Sequence, residues 1–197
     1  LRQHHVEHDE VEGAGERAVE REERRRPDRT DGVGTEGRED VRADLARGGV
    51  GMTTVAYMAV APEARTLPNQ IWMRPDILPD LRALTAAVHA EGAAISAQIT
   101  HGGSFVTGMK VKGRTISSSG GFNAAGALKG NFLQRAMNEA DMERVVAEFV
   151  AAARLARDAG FDAVELHMGH GYLLNQFISP LSNRREDKYG GSAANRV

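Results

Sequence analysis

Apolar positions recur along the chain in two spacings, which predict short buried strands and one-sided helices. Short runs rich in apolar and β-branched residues predict strands over 49–60, 93–100 and 161–167. Leucine and valine spaced three to four positions apart predict a helix over 78–90. A longer helix is predicted over 142–158, because its apolar and charged side chains fall on opposite faces.

The longer helix carries the clearest amphipathic pattern in the chain. Asn138, followed three positions later by Asp141, is typical of a helix start, and Gly160 is a natural end. The side chains predicted to face the core fall within an arc of about 120°; they are Met142, Val145, Val146, Phe149, Ala152, Ala153 and Ala156.

Strands that alternate with helices of this kind imply right-handed parallel crossovers and therefore an α/β domain. The exception to the alternation is the stretch 102–130, which holds eight glycines and the serine run 117–119. We interpret this stretch as a long excursion with little regular structure.

Composition excludes several classes of protein. With 25 Lys and Arg against 27 Asp and Glu, the chain offers no general attraction for nucleic acid or an anionic membrane. The absence of cysteine excludes disulfides, thiolate metal sites and a cysteine nucleophile. No apolar run approaches the ~20 residues of a membrane span, and the chain does not open on a secretory segment. We therefore expect a soluble, cytoplasmic protein with neither nucleic-acid nor membrane partners.

The charges are unevenly distributed, which predicts two segments. Residues 1–44 hold 9 Arg and 14 acidic residues, and they contain no Lys, Ile or aromatic residue. Such a segment buries little apolar area, so we interpret 1–44 as disordered, or as GC-rich DNA translated out of frame. Residues 45–197 are then the folded domain.

Candidate chemistry lies where predicted strands end, the edge at which parallel α/β folds gather their reactive groups. One strand ends at His101, and another ends at His167, with His170 and Tyr172 following within five positions. Two imidazole N–H groups can bind the oxygen of a polarised carbonyl, and a phenol can deliver a proton beside it.

Two further polar residues allow alternative interpretations. Gln98 lies inside an apolar run, so it either pairs with neighbouring backbone or holds a polar ligand. Glu165 could join His167 and His170 in a metal site, although zinc sites usually show a longer spacing and a third His or Cys.

Three stretches together resemble the old yellow enzyme family, the FMN-dependent NADH:flavin oxidoreductases. They are ARGGVGMTTVAYMAV at 46–60, AQITHGG at 97–103 and AGFDAVELHMGHGYLLNQFISPLSNRREDKYGGSAANR at 159–196. The resemblance implies a (β/α)₈ barrel that holds FMN at its C-terminal mouth. It also implies that NADH or NADPH reduces the flavin, which then passes hydride to an activated alkene, a small-molecule substrate.

The resemblance also implies roles for individual residues. His167 and His170 would hold the substrate carbonyl, and Tyr172 would protonate the α-carbon. Gln98 would hydrogen-bond the pyrimidine edge of the flavin. Tyr57 occupies a position where a small residue often lies against the flavin, so it would line the cofactor face.

The length of the chain changes this expectation. A full barrel needs roughly 250 residues or more, whereas the resemblance covers about strands two to four of a partial (β/α)₈ TIM barrel. We expect such a chain to hold FMN weakly or not at all and, through an unpaired sheet edge, to aggregate or form a homo-oligomer such as a dimer. Two alternatives stay open at this point: a TIM-barrel metal-dependent hydrolase, and an inactive gene fragment.

Overall fold

The computed structural model, which describes residues 36–106, 115–127 and 130–197, contains two three-stranded sheets. In chain order the strands are β1 (Met52–Ala59), β2 (Ala94–Thr100), β3 (Thr115–Ser117), β4 (Gly121–Phe122), β5 (Leu133–Ala136) and β6 (Ala163–Leu166). The α-helices are α1 (Glu36–Arg47), α2 (Leu78–Ala90), α3 (Ala124–Ala127), α4 (Glu139–Asp158), α5 (Leu173–Ile178) and α6 (Ala193–Arg196). Single 3₁₀ turns lie at Pro62–Ala64, Pro75–Ile77 and Gly103–Phe105.

The first sheet has the order β1-β2-β6, and both strand pairs are parallel. The predicted α/β alternation is therefore confirmed, and each predicted strand contains the observed one. The helix predicted over 78–90 is α2 with the same bounds. Parallel pairing brings the carboxyl ends of all three strands to one edge.

Apolar side chains packed between this sheet and its helices form the main core. Ile95, Ala97 and Ile99, on one face of β2, are fully buried, as are Val88 of α2 and Ala156 of α4. Burying a side chain the size of isoleucine contributes about 1.5–3 kcal/mol. The alternate face of β2 carries Ser96, Gln98 and Thr100, in agreement with the period of two.

The long helix begins where the sequence predicts. Asn138 is the N-cap of α4: its side chain accepts from the Asp141 N–H at 2.8 Å, and the Asp141 carboxylate accepts from the Asn138 N–H at 3.0 Å. The predicted core face is too wide, however, because Val146 is 61% exposed. Val146 lies at one edge of the predicted arc and the buried residues lie toward the other edge, so the neighbouring elements cover only one side of this face; the buried residues are Val145, Ala152 and Ala156.

The glycine-rich excursion contains more regular structure than its sequence predicts. In its described part, β3 pairs parallel to β5 and β4 pairs antiparallel to β5, which gives the second sheet. The prediction of little regular structure is wrong here, because strands of two to four residues are too short to show a period. Residues 107–114 and 128–129 lie outside the described residues.

A helix precedes the first strand. Ala43 and Ala46 of α1 are buried, and the helix packs against α2. The Arg42 guanidinium donates to Thr53 Oγ1 at 2.8 Å and so ties α1 to β1. This helix crosses the predicted boundary at 44/45, while residues 1–35 lie outside the described residues, so the two-segment division stays a prediction.

Among the residues described, no helix is both long enough and apolar enough to cross a bilayer.

Candidate active site

Four rings converge at the carboxyl edge of the first sheet; we call them the ring cluster, and its members are Tyr57, His167, His170 and Tyr172. The His167 ring lies 4.9 Å from that of His170, 5.0 Å from that of Tyr172 and 5.5 Å from that of Tyr57, between centroids. The sequence predicts the grouping of the last three, and the structure brings Tyr57 to them from a strand 110 residues earlier in the chain.

An irregularity in β1 accounts for the position of Tyr57. The register between β1 and β2 shifts between Val55 and Met58, so Ala56 and Tyr57 leave the regular ladder. Bulges of this kind change the direction in which a side chain points and are common beside active sites. Here the Tyr57 hydroxyl reaches the Tyr172 hydroxyl at 2.8 Å.

A tight turn after β6 folds His170 back onto His167. His170 has a φ of 55° and Gly171 a φ of 72°, both in the left-handed region that costs a non-glycine residue free energy. The turn is closed by a bond from the Tyr172 N–H to the Gly169 carbonyl at 3.1 Å. Strain at a histidine is retained when the surrounding contacts fix it, which is typical of functional positions.

The hydrogen bonds of the two imidazoles determine which nitrogens carry protons. The Gly169 N–H donates to His167 Nδ1 at 3.4 Å, so the proton of neutral His167 lies on Nε2. His167 Nε2 then donates to His170 Nδ1 at 3.0 Å, which leaves His170 Nε2–H as the free donor. A ligand oxygen therefore meets one free imidazole N–H, and a bond from both rings requires the His167–His170 bond to open.

Electrostatics favour the same protonation state. Burial first, and then the neighbouring His170, lower the pKa of His167, while Glu165 opposes that shift. A lowered pKa keeps His167 neutral near pH 7. Only the neutral ring can accept a hydrogen bond at Nδ1 while it donates one from Nε2.

The Tyr172 hydroxyl begins a chain of hydroxyl groups. Tyr57 Oη lies 2.8 Å from Tyr172 Oη and 2.9 Å from Thr66 Oγ1. Thr66 Oγ1 in turn donates to Gln70 Oε1 at 3.2 Å. Burial, followed by the hydrogen bond to Tyr57, raises the pKa of Tyr172 to about 12. Tyr172 is therefore protonated at neutral pH. Because Thr66 donates to Gln70, Tyr57 donates to Thr66. The Tyr172 hydroxyl therefore donates to Tyr57, and this bond must open before the proton passes to a substrate.

Gln98 pairs with the residue opposite it in the sheet. Its Nε2 donates to Glu165 Oε1 at 2.6 Å, and the two residues are register partners on β2 and β6. An ionised carboxylate only accepts, so the amide nitrogen must face Glu165 and the Gln98 carbonyl oxygen is left for a ligand. The sequence alternative in which Glu165 completes a metal site is not supported, since within the described ranges no three His, Cys, Asp or Glu converge on a metal position.

His101, the other strand-end histidine, lies outside the ring cluster. It is 2% exposed, and its Nδ1 accepts from the Gly103 N–H at 3.0 Å. Burial lowers the pKa of His101 to about 3, so it is a neutral structural residue.

Sequence reasoning missed two neighbours of the ring cluster. Thr66 bonds Tyr57, and the ring of Phe105 meets that of Tyr172 edge-on at 5.9 Å. Both follow the carboxyl ends of strands, β1 and β2, where barrel folds place site residues, and that position is the signal that could have found them.

Similarity to known proteins agrees with this arrangement. A sequence profile of the NADH:flavin oxidoreductase / NADH oxidase family matches residues 26–197. The chain belongs to this family. FMN with NADH or NADPH is the family's cofactor pair, as its description and the names of the relatives indicate.

Individual relatives match most of this chain and less than half of their own length. The chain is 47% identical over 157 residues to 4,4'-dithiodibutanoate disulfide reductase of Rhodococcus erythropolis, covering 79% of this chain and 38% of that protein. It is 40% identical over 154 residues to NADPH dehydrogenase of Geobacillus thermodenitrificans, covering 77% and 43%.

A solved structure extends the likeness to three dimensions. The crystal structure of Old Yellow Enzyme from Pichia sp. AKU4542 superimposes with a TM-score of 0.75 at 30% identity, covering 83% of this chain and 45% of that one. The described α/β fold is therefore part of a (β/α)₈ barrel, as predicted.

The residues present fit the flavin as far as they extend. Gln98 and Thr100 lie on one face of β2 at its carboxyl end, and the fully buried Thr100 hydroxyl has no hydrogen-bond partner within the described ranges. The free carbonyl of Gln98 and this hydroxyl are suited to a polar ring edge carrying both donors and acceptors.

Proposed function

We propose that the protein to which this chain belongs is an FMN-dependent NAD(P)H oxidoreductase that reduces an activated alkene. The observation that carries the proposal is the ring cluster, in which a free imidazole N–H and a protonated phenol lie side by side at the carboxyl edge of a parallel sheet. FMN, when bound, supplies the hydride that adds to the β-carbon of the alkene.

The residues of this chain provide the acid chemistry of the reaction. His170 Nε2–H donates to the substrate carbonyl oxygen and stabilises the negative charge that develops there. Tyr172 gives its hydroxyl proton to the α-carbon, so that one hydride and one proton have been added across the double bond. Tyr57, bonded to Tyr172 and Thr66, holds the phenol in position and lines the cofactor face, while the Gln98 carbonyl accepts from the flavin edge.

The test separates the two half-reactions in the complete gene product. Removing the hydroxyl in Tyr172→Phe is expected to slow alkene reduction by about 10²–10⁴-fold, the usual contribution of a positioned acid. Flavin reduction by NAD(P)H should be unchanged, because no proton is delivered to carbon in that step. Anaerobic stopped-flow absorbance measures both rates.

The chain offers a matched control for this test. Tyr189, which stacks on Lys188 away from the ring cluster, is the remaining tyrosine of the sequence, and Tyr189→Phe should leave both rates unchanged. Equal losses in the two half-reactions of Tyr172→Phe would contradict the proton-donor role. A complete gene product without flavin reduction would favour the inactive-fragment alternative.

A second candidate reaction is the reduction of an organic disulfide, which a relative 47% identical to this chain carries in its name. One hydride and one proton convert a disulfide to two thiols, so the same acid groups suffice. Using 4,4'-dithiodibutanoate in place of the alkene in the stopped-flow experiment distinguishes the two reactions.

We also propose that the chain on its own self-associates. Val164 and Leu166 on β6, at the edge of the first sheet, are 39% and 50% exposed. An unpaired edge with apolar side chains promotes pairing between copies. Light scattering of the isolated chain should show species larger than a monomer, and Val164→Lys should reduce them. A cytoplasmic location and the absence of nucleic-acid partners stay predictions.

A further inference from the structure

A cavity of about 520 Å³ lies beside the ring cluster, outside the site of the proposed function. Its walls come from the second sheet, the Gly103–Phe105 turn, α5 and the segment after α5. None of the four rings of the ring cluster lines the cavity, although Phe105, which does, packs edge-on against Tyr172. The volume falls in the range of small-molecule sites.

The walls of this cavity carry hydrogen-bond donors that the protein does not use. Ser117 is 1% exposed, and its hydroxyl has no hydrogen-bond partner among the described residues. The Ser119 hydroxyl accepts from the Arg184 N–H at 2.8 Å, so its own proton is free. Asn175 Oδ1 accepts from the Gly171 N–H at 3.1 Å, which leaves the amide N–H₂ of Asn175 unspent. A buried donor without a partner is costly unless a ligand or water satisfies it.

The charge around the cavity has one sign. Of the described residues that line it, Arg184 is charged and none is acidic, and the Arg184 guanidinium makes no ion pair or hydrogen bond with the described part of the chain. The nearby basic residue Arg185, by contrast, is neutralised by Asp187. An excess of donors with an unpaired guanidinium suits an anion.

We propose that this cavity binds the carboxylate of a small organic acid. Arg184, Ser117, Ser119 and Asn175 supply the donors for the carboxylate. Phe105 and the 68% exposed Phe122 provide apolar walls for its hydrocarbon part, which an inorganic anion would not need. The site differs from that of the proposed function and binds its ligand without flavin.

The test is an NMR titration, with sodium 3-phenylpropionate, of the ¹⁵N-labelled 197-residue chain carrying Val164→Lys, the variant expected to associate less. We expect saturable shifts at the Gly120 and Gly121 amides, which line the cavity. The neutral 3-phenylpropionamide and inorganic phosphate should each bind at least about tenfold more weakly, because one lacks the charge and the other the hydrocarbon.

Two variants locate the binding. Arg184→Gln should weaken 3-phenylpropionate binding by about tenfold or more, since it removes a charge-assisted donor. Arg154→Gln removes the same charge from an exposed position on α4 and should leave the affinity unchanged. Ser117→Ala, which keeps the guanidinium, should weaken binding to a smaller extent.

Four results would overturn the proposal. They are no saturable shift at the cavity amides, equal affinity for the acid and its amide, equal effects of Arg184→Gln and Arg154→Gln, and shifts confined to His167 and His170. Phosphate binding as tight as that of 3-phenylpropionate would overturn the assignment to an organic acid. None of these measurements depends on alkene reduction, so the proposed function is tested separately.

Discussion

The two sheets of this protein are held together by different interactions. The first sheet is covered with hydrocarbon: Ile95 and Ile99 are fully buried between β2 and its helices. In the second sheet Phe122 is 68% exposed and Leu133 48% exposed. Ile116 of β3 packs against a small buried cluster, so less apolar area is buried there than around the first sheet; the cluster is Met137, Val145 and Leu173.

Hydrogen bonds and an ion pair from polar side chains also link the second sheet to the elements around it. Asn123 Nδ2 donates to the Ser104 carbonyl at 2.7 Å, and Arg185 Nη1 donates to the carbonyls of Ser118 at 2.9 Å and Met137 at 2.8 Å. Arg135 of β5 pairs with Asp141 of α4, and this ion pair holds the pKa of Asp141 at about 2. The comparison shows that the same chain stabilises its first sheet mainly by burying apolar side chains and its second sheet largely by specific hydrogen bonds and ion pairs.

The largest effect is expected in the first sheet. Ile99→Ala removes a fully buried side chain from β2 and leaves a cavity, which should cost about 2–5 kcal/mol of unfolding free energy. Urea unfolding measures the loss. A loss below about 1 kcal/mol would contradict the hydrocarbon account of this sheet.

A polar deletion should be the most damaging change around the second sheet. Asn123 is 3% exposed, and its carbonyl oxygen accepts from the Gly126 N–H at 2.9 Å while its amide bonds Ser104. Asn123→Ala leaves these buried groups unpaired and should cost about 1–3 kcal/mol by urea unfolding. Asn69→Ala, at an exposed position, is the matched control and should have little effect. Equal stability of the two variants would remove the polar account of the second sheet.

The free energy of unfolding should depend on pH through His101, which lies at the carboxyl end of β2. Its folded-state pKa of about 3 lies below the ordinary value of 6.5, so the unfolded chain binds the proton first as pH falls. The stabilisation is therefore complete above about pH 6.5 and is lost toward pH 3, by about 2 kcal/mol between pH 7 and pH 5. Urea unfolding at both pH values measures it. His101→Asn should reduce this pH dependence. If the unfolding free energy of that variant still falls equally between pH 7 and pH 5, the dependence comes from other groups.

The smallest effect is expected at an exposed apolar position of the second sheet. Leu133→Ala should change the unfolding free energy by no more than about 0.5 kcal/mol, because the side chain is already 48% exposed. A loss comparable to that of Ile99→Ala would show that the two sheets are stabilised in the same way.

The same difference between the two sheets explains which strands could be predicted from the sequence. The strands of the first sheet show as continuous apolar runs, because β2 is buried on both faces, and the two long helices show their period, because one face of each is buried. The second sheet has strands of two to four residues whose partners lie up to 19 positions apart, from Thr115 to Gln134. No local sequence pattern therefore predicts this sheet. The prediction that Val146 faces the core is wrong, because periodicity gives the approximate direction of an apolar face and not the part of it that neighbouring elements cover.

Sequence by itself determined the α/β alternation, the start of α4 at Asn138 and the group His167, His170 and Tyr172. These features depend on spacing within one element or turn. Tertiary structure alone decided that Tyr57 and Thr66 meet Tyr172, that the two imidazoles bond each other, and that Glu165 orients Gln98. Each of those contacts needs strand register or a turn geometry, and these are fixed only when separate parts of the chain pack together.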